Sequence, residues 1–272
     1  MTVIAMTREM GTRGTDVAVG VAQRLGLTVV HHELIERDIA EQSGLQESEV
    51  HRFLEGGASL MERLTIDRKR MSRYTRLEIM ELAARGNVLI RGWGATFLLR
   101  SIPHVVCVRI CAPLAFRETV LMERLGLKDA SLARREIARN DAAHNATMQK
   151  LFGIDWSDPS LYSIALNTAR VPIADSIEFI VRMAESPAFQ ETAQSKTILS
   201  DELVRARVQQ TLDKGFGLSG IEADVSSGKV VLTGAATDDK LIVDIVRLVQ
   251  GVKGVTGVES RIERVAFFPP ML

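Results

Sequence analysis

The sequence predicts an α/β domain, a parallel sheet covered by helices on both faces, followed by a small α+β module. Three observations carry this prediction. Short, wholly apolar runs alternate with helix-period stretches up to about residue 185. The polar stretch Gln190-Glu191-Thr192-Ala193-Gln194-Ser195 then interrupts the pattern. Beyond it the order changes to helix, hairpin, helix and strand within about 70 residues.

Taken in order, Val3-Ile4-Ala5-Met6 is the first buried strand, ending in a glycine-bearing loop and a helix marked by Val17, Val21 and Leu25. Helices follow over about 33–42, 46–55 and 58–85. Val88-Leu89-Ile90 and Val105-Val106-Cys107-Val108 read as strands buried on both faces. Helices over 113–125 and 130–150, a strand at Ile164-Ala165-Leu166 and a helix over 173–185 complete the domain. Ligands of such sheets bind beyond the carboxyl ends of the strands, which singles out the loops after Met6 and Ile90. In the module, Leu203, Val204, Val208 and Leu212 form a helical stripe. A hairpin over 221–234 turns at Ser226-Ser227-Gly228, and a helix over about 238–250 precedes the alternating strand 258–262. The predicted division is a domain over 1–186, a linker over 187–197, a module over 198–265 and a tail over 266–272.

Composition excludes several functions. Of 272 residues, 46% are hydrophobic and 25% charged, which argues for a globular chain. Lys+Arg 34 against Asp+Glu 34 lacks the basic excess of a dedicated nucleic-acid binder. Cys107 and Cys111 share one apolar run and form neither a disulfide framework nor, with His104 alone nearby, a zinc site. No apolar stretch approaches the roughly 18–20 residues of a membrane span, and Met1–Met6 has no basic leader, so the expected location is the cytoplasm. Residues 1–195 hold 21 of the arginines and only 3 lysines, and arginine's planar fork suits phosphate.

The loop Thr7-Arg8-Glu9-Met10-Gly11-Thr12-Arg13-Gly14-Thr15-Asp16 stands between a strand and a helix, where backbone N–H groups can meet a phosphate. A full P-loop reads G-x-x-x-x-G-K-[ST]. Here the first glycine and the lysine are missing, and Arg13 stands at the apparent lysine position. No carboxylate is evident at the end of an early strand to help anchor a metal.

That loop resembles the opening of the cytidylate kinase-like family, a branch of the P-loop nucleoside monophosphate kinases. The likeness continues through His32-Glu33-Leu34-Ile35-Glu36, Asn87 to Ala95, Arg117 to Leu125, and Asp155 to Tyr162, and ends at Leu166-Asn167-Thr168. It implies a three-layer, parallel-sheet P-loop kinase-like domain that transfers the γ-phosphoryl of ATP to CMP or dCMP with Mg²⁺. Gly11, Thr12, Arg13, Gly14 and Thr15 would hold ATP, with the Thr15 hydroxyl a metal ligand. Arg91 would face the acceptor phosphate, and Asp141 the nucleotide's base. Segment 130–150 is similar to the family's lid, so Arg134, Arg135 and Arg139 join Arg13 as catalytic candidates. Family lids often continue Asp-x-x-Arg, whereas this chain has Asp141-Ala142-Ala143-His144. The competing reading is a nucleotide-binding regulatory or scaffolding protein that turns over weakly or not at all.

Residues 199–264 resemble a BON domain, through Gly228-Lys229-Val230-Val231-Leu232-Thr233-Gly234 and Gly251-Val252-Lys253-Gly254-Val255. The resemblance implies an interaction module whose partner is an unknown protein or a phospholipid surface. Residues 196–272 carry 10 basic and 10 acidic groups, which gives anionic lipid no electrostatic hold.

Overall fold

A computed structural model describes residues 1–54, 68–92, 94–216 and 220–265. It divides into two compact units, Met1–Thr192 and Ala193–Leu272.

The first unit alternates strand and helix: β1 (Val3–Arg8), α1 (Gly14–Leu25), β2 (Thr28–Val30), α2 (His32–Ser43), α3 (Glu47–Leu54), α4 (Arg68–Arg85) and β3 (Val88–Arg91). Then come α5 (Ala95–Leu99), β4 (Val105–Cys111), α6 (Leu114–Leu125), α7 (Ala130–Phe152), β5 (Ile164–Asn167) and α8 (Ile173–Glu185). The five strands form one parallel sheet in the order β2-β3-β1-β4-β5. The first strand is therefore central. Strand side chains alternate between faces. One face, carrying Ile4, Met6, Leu89, Val106, Val108 and Ile110, packs on Val17, Val21 and Ile180 of α1 and α8. The other meets α4 and α5, so the three-layer expectation is met.

Two short elements escape the sequence pattern: β2 is three residues long and α5 five. Of the predicted helix 58–85, residues 68–85 are helical, and 58–67 lie outside the described residues.

The second unit comprises α9 (Ala193–Phe216), β6 (Glu222–Ser226), β7 (Lys229–Ala236), α10 (Asp239–Gln250) and β8 (Gly257–Arg264). The hairpin β6–β7 turns through Ser227 and Gly228 at φ 50° and 77°, the two positive angles a tight two-residue turn requires. β8 pairs with β7 in parallel, made possible by the crossover through α10. Helix α9 begins at Ala193, so the second half of the predicted linker 187–197 is already helical. The predicted tail 266–272 lies outside the described residues.

Candidate active site

The carboxyl end of β1 leads through Glu9–Arg13 into α1. Gly11 sits at φ +80°, and a Cβ there would fall 2.5 Å from the Arg117 carbonyl oxygen, so only glycine fits. The Thr12 side chain is buried: its hydroxyl donates to the Glu9 carbonyl at 2.8 Å, and its own carbonyl accepts from the Thr168 hydroxyl at 2.7 Å. Gly14 opens α1, and a Cβ there would lie 2.9 Å from Arg8 Cβ and 3.0 Å from Arg8 Cδ. Its bareness makes room for the Arg8 side chain.

Arg13 takes the left-handed conformation (φ 59°, ψ 18°) at the helix N-cap, rare for a residue with a side chain. That geometry carries its guanidinium to Asp16, where Nε donates to Oδ2 at 3.2 Å; both side chains are more than half exposed. The structure thus gives Arg13 a solvent-facing carboxylate partner.

Behind the loop stands a buried charge network centred on Glu9. Its carboxylate accepts from Arg109 Nη2 at 2.7 Å and from the Ala112 backbone N–H at 3.2 Å, with Arg117 Nη1 3.4 Å away. Arg117 Nε donates to the Met10 carbonyl at 2.7 Å and its Nη2 to Asp141 Oδ1 at 2.7 Å. Arg109 Nη1 donates to the Trp156 carbonyl at 2.8 Å, and the same guanidinium lies 4.4 Å from the Trp156 ring centroid. The His144 ring lies 4.1 Å from that indole. A carboxylate does therefore follow the first strand, contrary to the sequence reading, but two arginines and a backbone amide occupy it.

Arg91 ends β3, in register with Met6 of β1. It is buried, and its Nη1 donates to the Thr15 hydroxyl at 3.3 Å. Burial lowers its pKa from the usual arginine value, against the opposing pull of Glu33. Arg8 is pushed down to about 10, by burial first and then by the positive charges of Arg91 and Arg124. Among the described residues neither Arg8 nor Arg91 has a carboxylate partner within 4.0 Å. His31 titrates below its normal range for the same reasons, burial first and then Arg91, with Glu33 opposing.

The three candidate catalytic arginines of α7 stand elsewhere. Arg134 forms a two-pronged pair with Glu118 at 2.5 and 3.2 Å, which holds that carboxyl below the usual range. Arg139 donates to Glu136 at 2.9 Å, and Arg135 is exposed. None of the three makes a hydrogen bond or ion pair to the loop among the described residues. On α7 it is Ala133, Ile137, Thr147 and Met148 that are buried, while Asp141 meets Arg117 and His144 meets Trp156. The structure thus gathers Gly11, Thr12, Gly14, Thr15 and Arg91 at the carboxyl ends of the inner strands β1 and β3, with Asp141 tied to the loop through Arg117.

A protein-held magnesium does not fit these residues. Mg²⁺ favours carboxylate and phosphate oxygens, whereas the Thr15 hydroxyl faces a guanidinium and Glu9 is committed to arginines. No group of three or more His, Cys, Asp or Glu that could hold a metal occurs among the described residues.

Sequence reasoning missed Arg8, Glu9 and Arg109. The available signal was charge inside or directly after apolar strands: Arg109 interrupts the run Val105–Cys111, and Arg8-Glu9 closes the first strand.

A parallel sheet ordered 2-3-1-4-5, with a glycine loop joining its central strand to a helix, defines a P-loop kinase-like α/β domain. The chain belongs to the cytidylate kinase-like family, whose model matches residues 3–170, and a BON domain matches residues 200–266. It is 28% identical over 178 residues to the cytidylate kinase of Pyrobaculum aerophilum, covering 65% of this chain and 89% of that one. The cytidylate kinase of Methanopyrus kandleri is 28% identical over 168 residues, covering 59% and 81%. An uncharacterized protein from Eubacterium ventriosum shares the fold at a TM-score of 0.54 and 18% identity, over 68% of this chain and 99% of that one. No helix among the described residues is long and apolar enough to cross a membrane.

Proposed function

We propose that the first unit is a nucleoside monophosphate kinase that moves the γ-phosphoryl of ATP to CMP or dCMP. The observation that carries this reading is the meeting of Arg91 and Thr15 at 3.3 Å, where the end of β3 touches the first turn of α1. One element belongs to the acceptor side of such a site and the other to the donor side. Phosphoryl transfer asks mainly for positioning and charge stabilisation, and buried guanidinium groups supply both. The free N–H groups at the start of α1 would cradle the donor phosphates. Arg91 would hold the acceptor phosphate, and Asp141, oriented by Arg117, would meet the cytosine. Magnesium would arrive on the donor's own phosphates. The family and the relatives named cytidylate kinase support the acceptor.

The second unit serves as an interaction module, with a protein partner favoured over phospholipid because its charges balance. One observation favours the non-catalytic reading: Arg134 and Arg139 are paired with neighbouring carboxylates. A coupled assay of ADP formation across all nucleoside monophosphates separates the two. Turnover highest with CMP or dCMP supports the kinase, and ATP binding without ADP formation from any acceptor supports the regulatory protein.

A further inference from the structure

We propose that Arg8 is the residue that grips the polyphosphate of the donor, reaching it from beneath the first turn of α1, in place of a P-loop lysine. This rests on reading the loop as a phosphate site. Of the other arginines near the loop, Arg124 acts on Arg8 only through its charge, and four have direct partners. Arg13 pairs with Asp16 in solvent. Arg109 is held by Glu9 and the Trp156 carbonyl. Arg117 is held by the Met10 carbonyl and Asp141. Arg91 reaches the Thr15 hydroxyl. The Arg8 side chain makes no hydrogen bond or ion pair among the described residues.

Its path is built for it. A Cβ at Gly14 would lie 2.9 and 3.0 Å from Arg8 Cβ and Cδ, so Arg8 runs beside the start of the turn. There the Asp16 and Val17 N–H groups bond to the Arg13 carbonyl, and the N–H groups before them have no helical partner. A side chain at Gly14 would push against Arg8 and the Thr12 hydroxyl.

A partly buried guanidinium with no carboxylate within 4.0 Å, eased only at longer range by Glu33, is costly to the protein that carries it. Arg91 beside it makes the cost larger, since its positive charge disfavours the charged form of Arg8, and burial disfavours the charged form of Arg91. A polyphosphate at Arg8, with the acceptor phosphate at Arg91, relieves the two together, and its several charges favour it over a carboxylate or a single small anion. At about 10 the Arg8 guanidinium remains charged at neutral pH.

The test measures binding of tripolyphosphate, ATP and adenosine to the full chain by calorimetry. The proteins compared are the parent, Arg8→Gln, Arg8→Lys and Arg13→Gln. Loss of one charge-assisted phosphate contact predicts that Arg8→Gln weakens tripolyphosphate and ATP by about 10- to 100-fold, leaving adenosine unchanged. Arg8→Lys should recover part of the loss, and Arg13→Gln should stay within about threefold of the parent. Removing an unpaired buried charge should also raise the ligand-free melting temperature of Arg8→Gln, whereas a structural arginine would lower it. Unchanged tripolyphosphate affinity in Arg8→Gln, an equal loss in Arg13→Gln, or a lowered melting temperature overturns the proposal. A parent that binds no tripolyphosphate overturns it together with the phosphate-site reading. A parent that binds tripolyphosphate but phosphorylates no nucleotide overturns only the kinase reading.

Discussion

Arg117 and Asp141 are joined at 2.7 Å, and the same guanidinium donates to the carbonyl of Met10 at 2.7 Å. One side chain thereby fixes both the long helix α7 and the backbone of the glycine loop. The residue that resemblance links to the nucleotide base is mechanically part of the loop that would hold the phosphates. Arg117→Met should therefore weaken ATP and CMP together, each by about tenfold or more. Separate titrations of the two nucleotides check this, and loss of only one would show that the loop and α7 act independently.

Glu9 is the hub of the buried network, so its removal leaves two arginines partly uncompensated. Glu9→Gln should lower the stability of the first unit by about 3 kcal/mol. Urea unfolding followed by the fluorescence of buried Trp156 reports the change.

Gly11→Ala should abolish nucleotide binding and cost at least about 2 kcal/mol, since both the positive φ and the 2.5 Å approach to the Arg117 carbonyl oppose a Cβ. Gly26, at φ +64° with nothing within 4 Å of its Cβ, is the control: Gly26→Ala should cost about 1 kcal/mol and leave binding intact.

Glu78 of α4 is held up at about 7, by burial first and then by the carboxylate of Asp38 on α2. The folded protein therefore holds this proton more tightly than the unfolded chain. The stability it contributes is complete below about 4.5 and is lost as the pH rises through 7. Glu78→Gln removes the titration and keeps a donor toward Asp38. It should be more stable than the parent at pH 8 by about 1–2 kcal/mol and nearly equal at pH 4.5, as urea titrations at the two pH values would show.

A chain ending at Thr192 should keep the transfer activity of the full protein within about threefold, because every residue proposed for the site lies in the first unit. A coupled assay on the two proteins at equal concentration decides it.

The parallel sheet is legible in the sequence because β3 and β4 open with continuous apolar runs, Val88–Ile90 and Val105–Val108, as strands covered on both faces do. β2 is not, since three residues, one exposed, one half-buried and one buried, carry no period. The site is legible as a place and less so as a set of side chains. The loop's position follows from strand, glycine and helix. Arg13 drew attention by its place in a linear motif, but its left-handed backbone turns it toward Asp16. Arg8 and Glu9 look like ordinary charges at a strand end. Their burial is produced by Arg109, Arg117 and Arg91, which are about eighty or more residues away along the chain.

That separation has a bearing on biosynthesis. The loop leaves the ribosome among the first fifteen residues, yet the groups that shape it, the Arg109 guanidinium, the Ala112 amide and the Arg117 guanidinium, follow 100, 103 and 107 positions after the loop atoms they bind. At about 5–20 residues per second, a nascent chain spends at least several seconds with β1 made and its loop unformed. Nucleotide cannot template the early fold; it can only select the finished one. A destabilised variant would accordingly gain from ATP after synthesis, as slower unfolding, and gain nothing from it during synthesis.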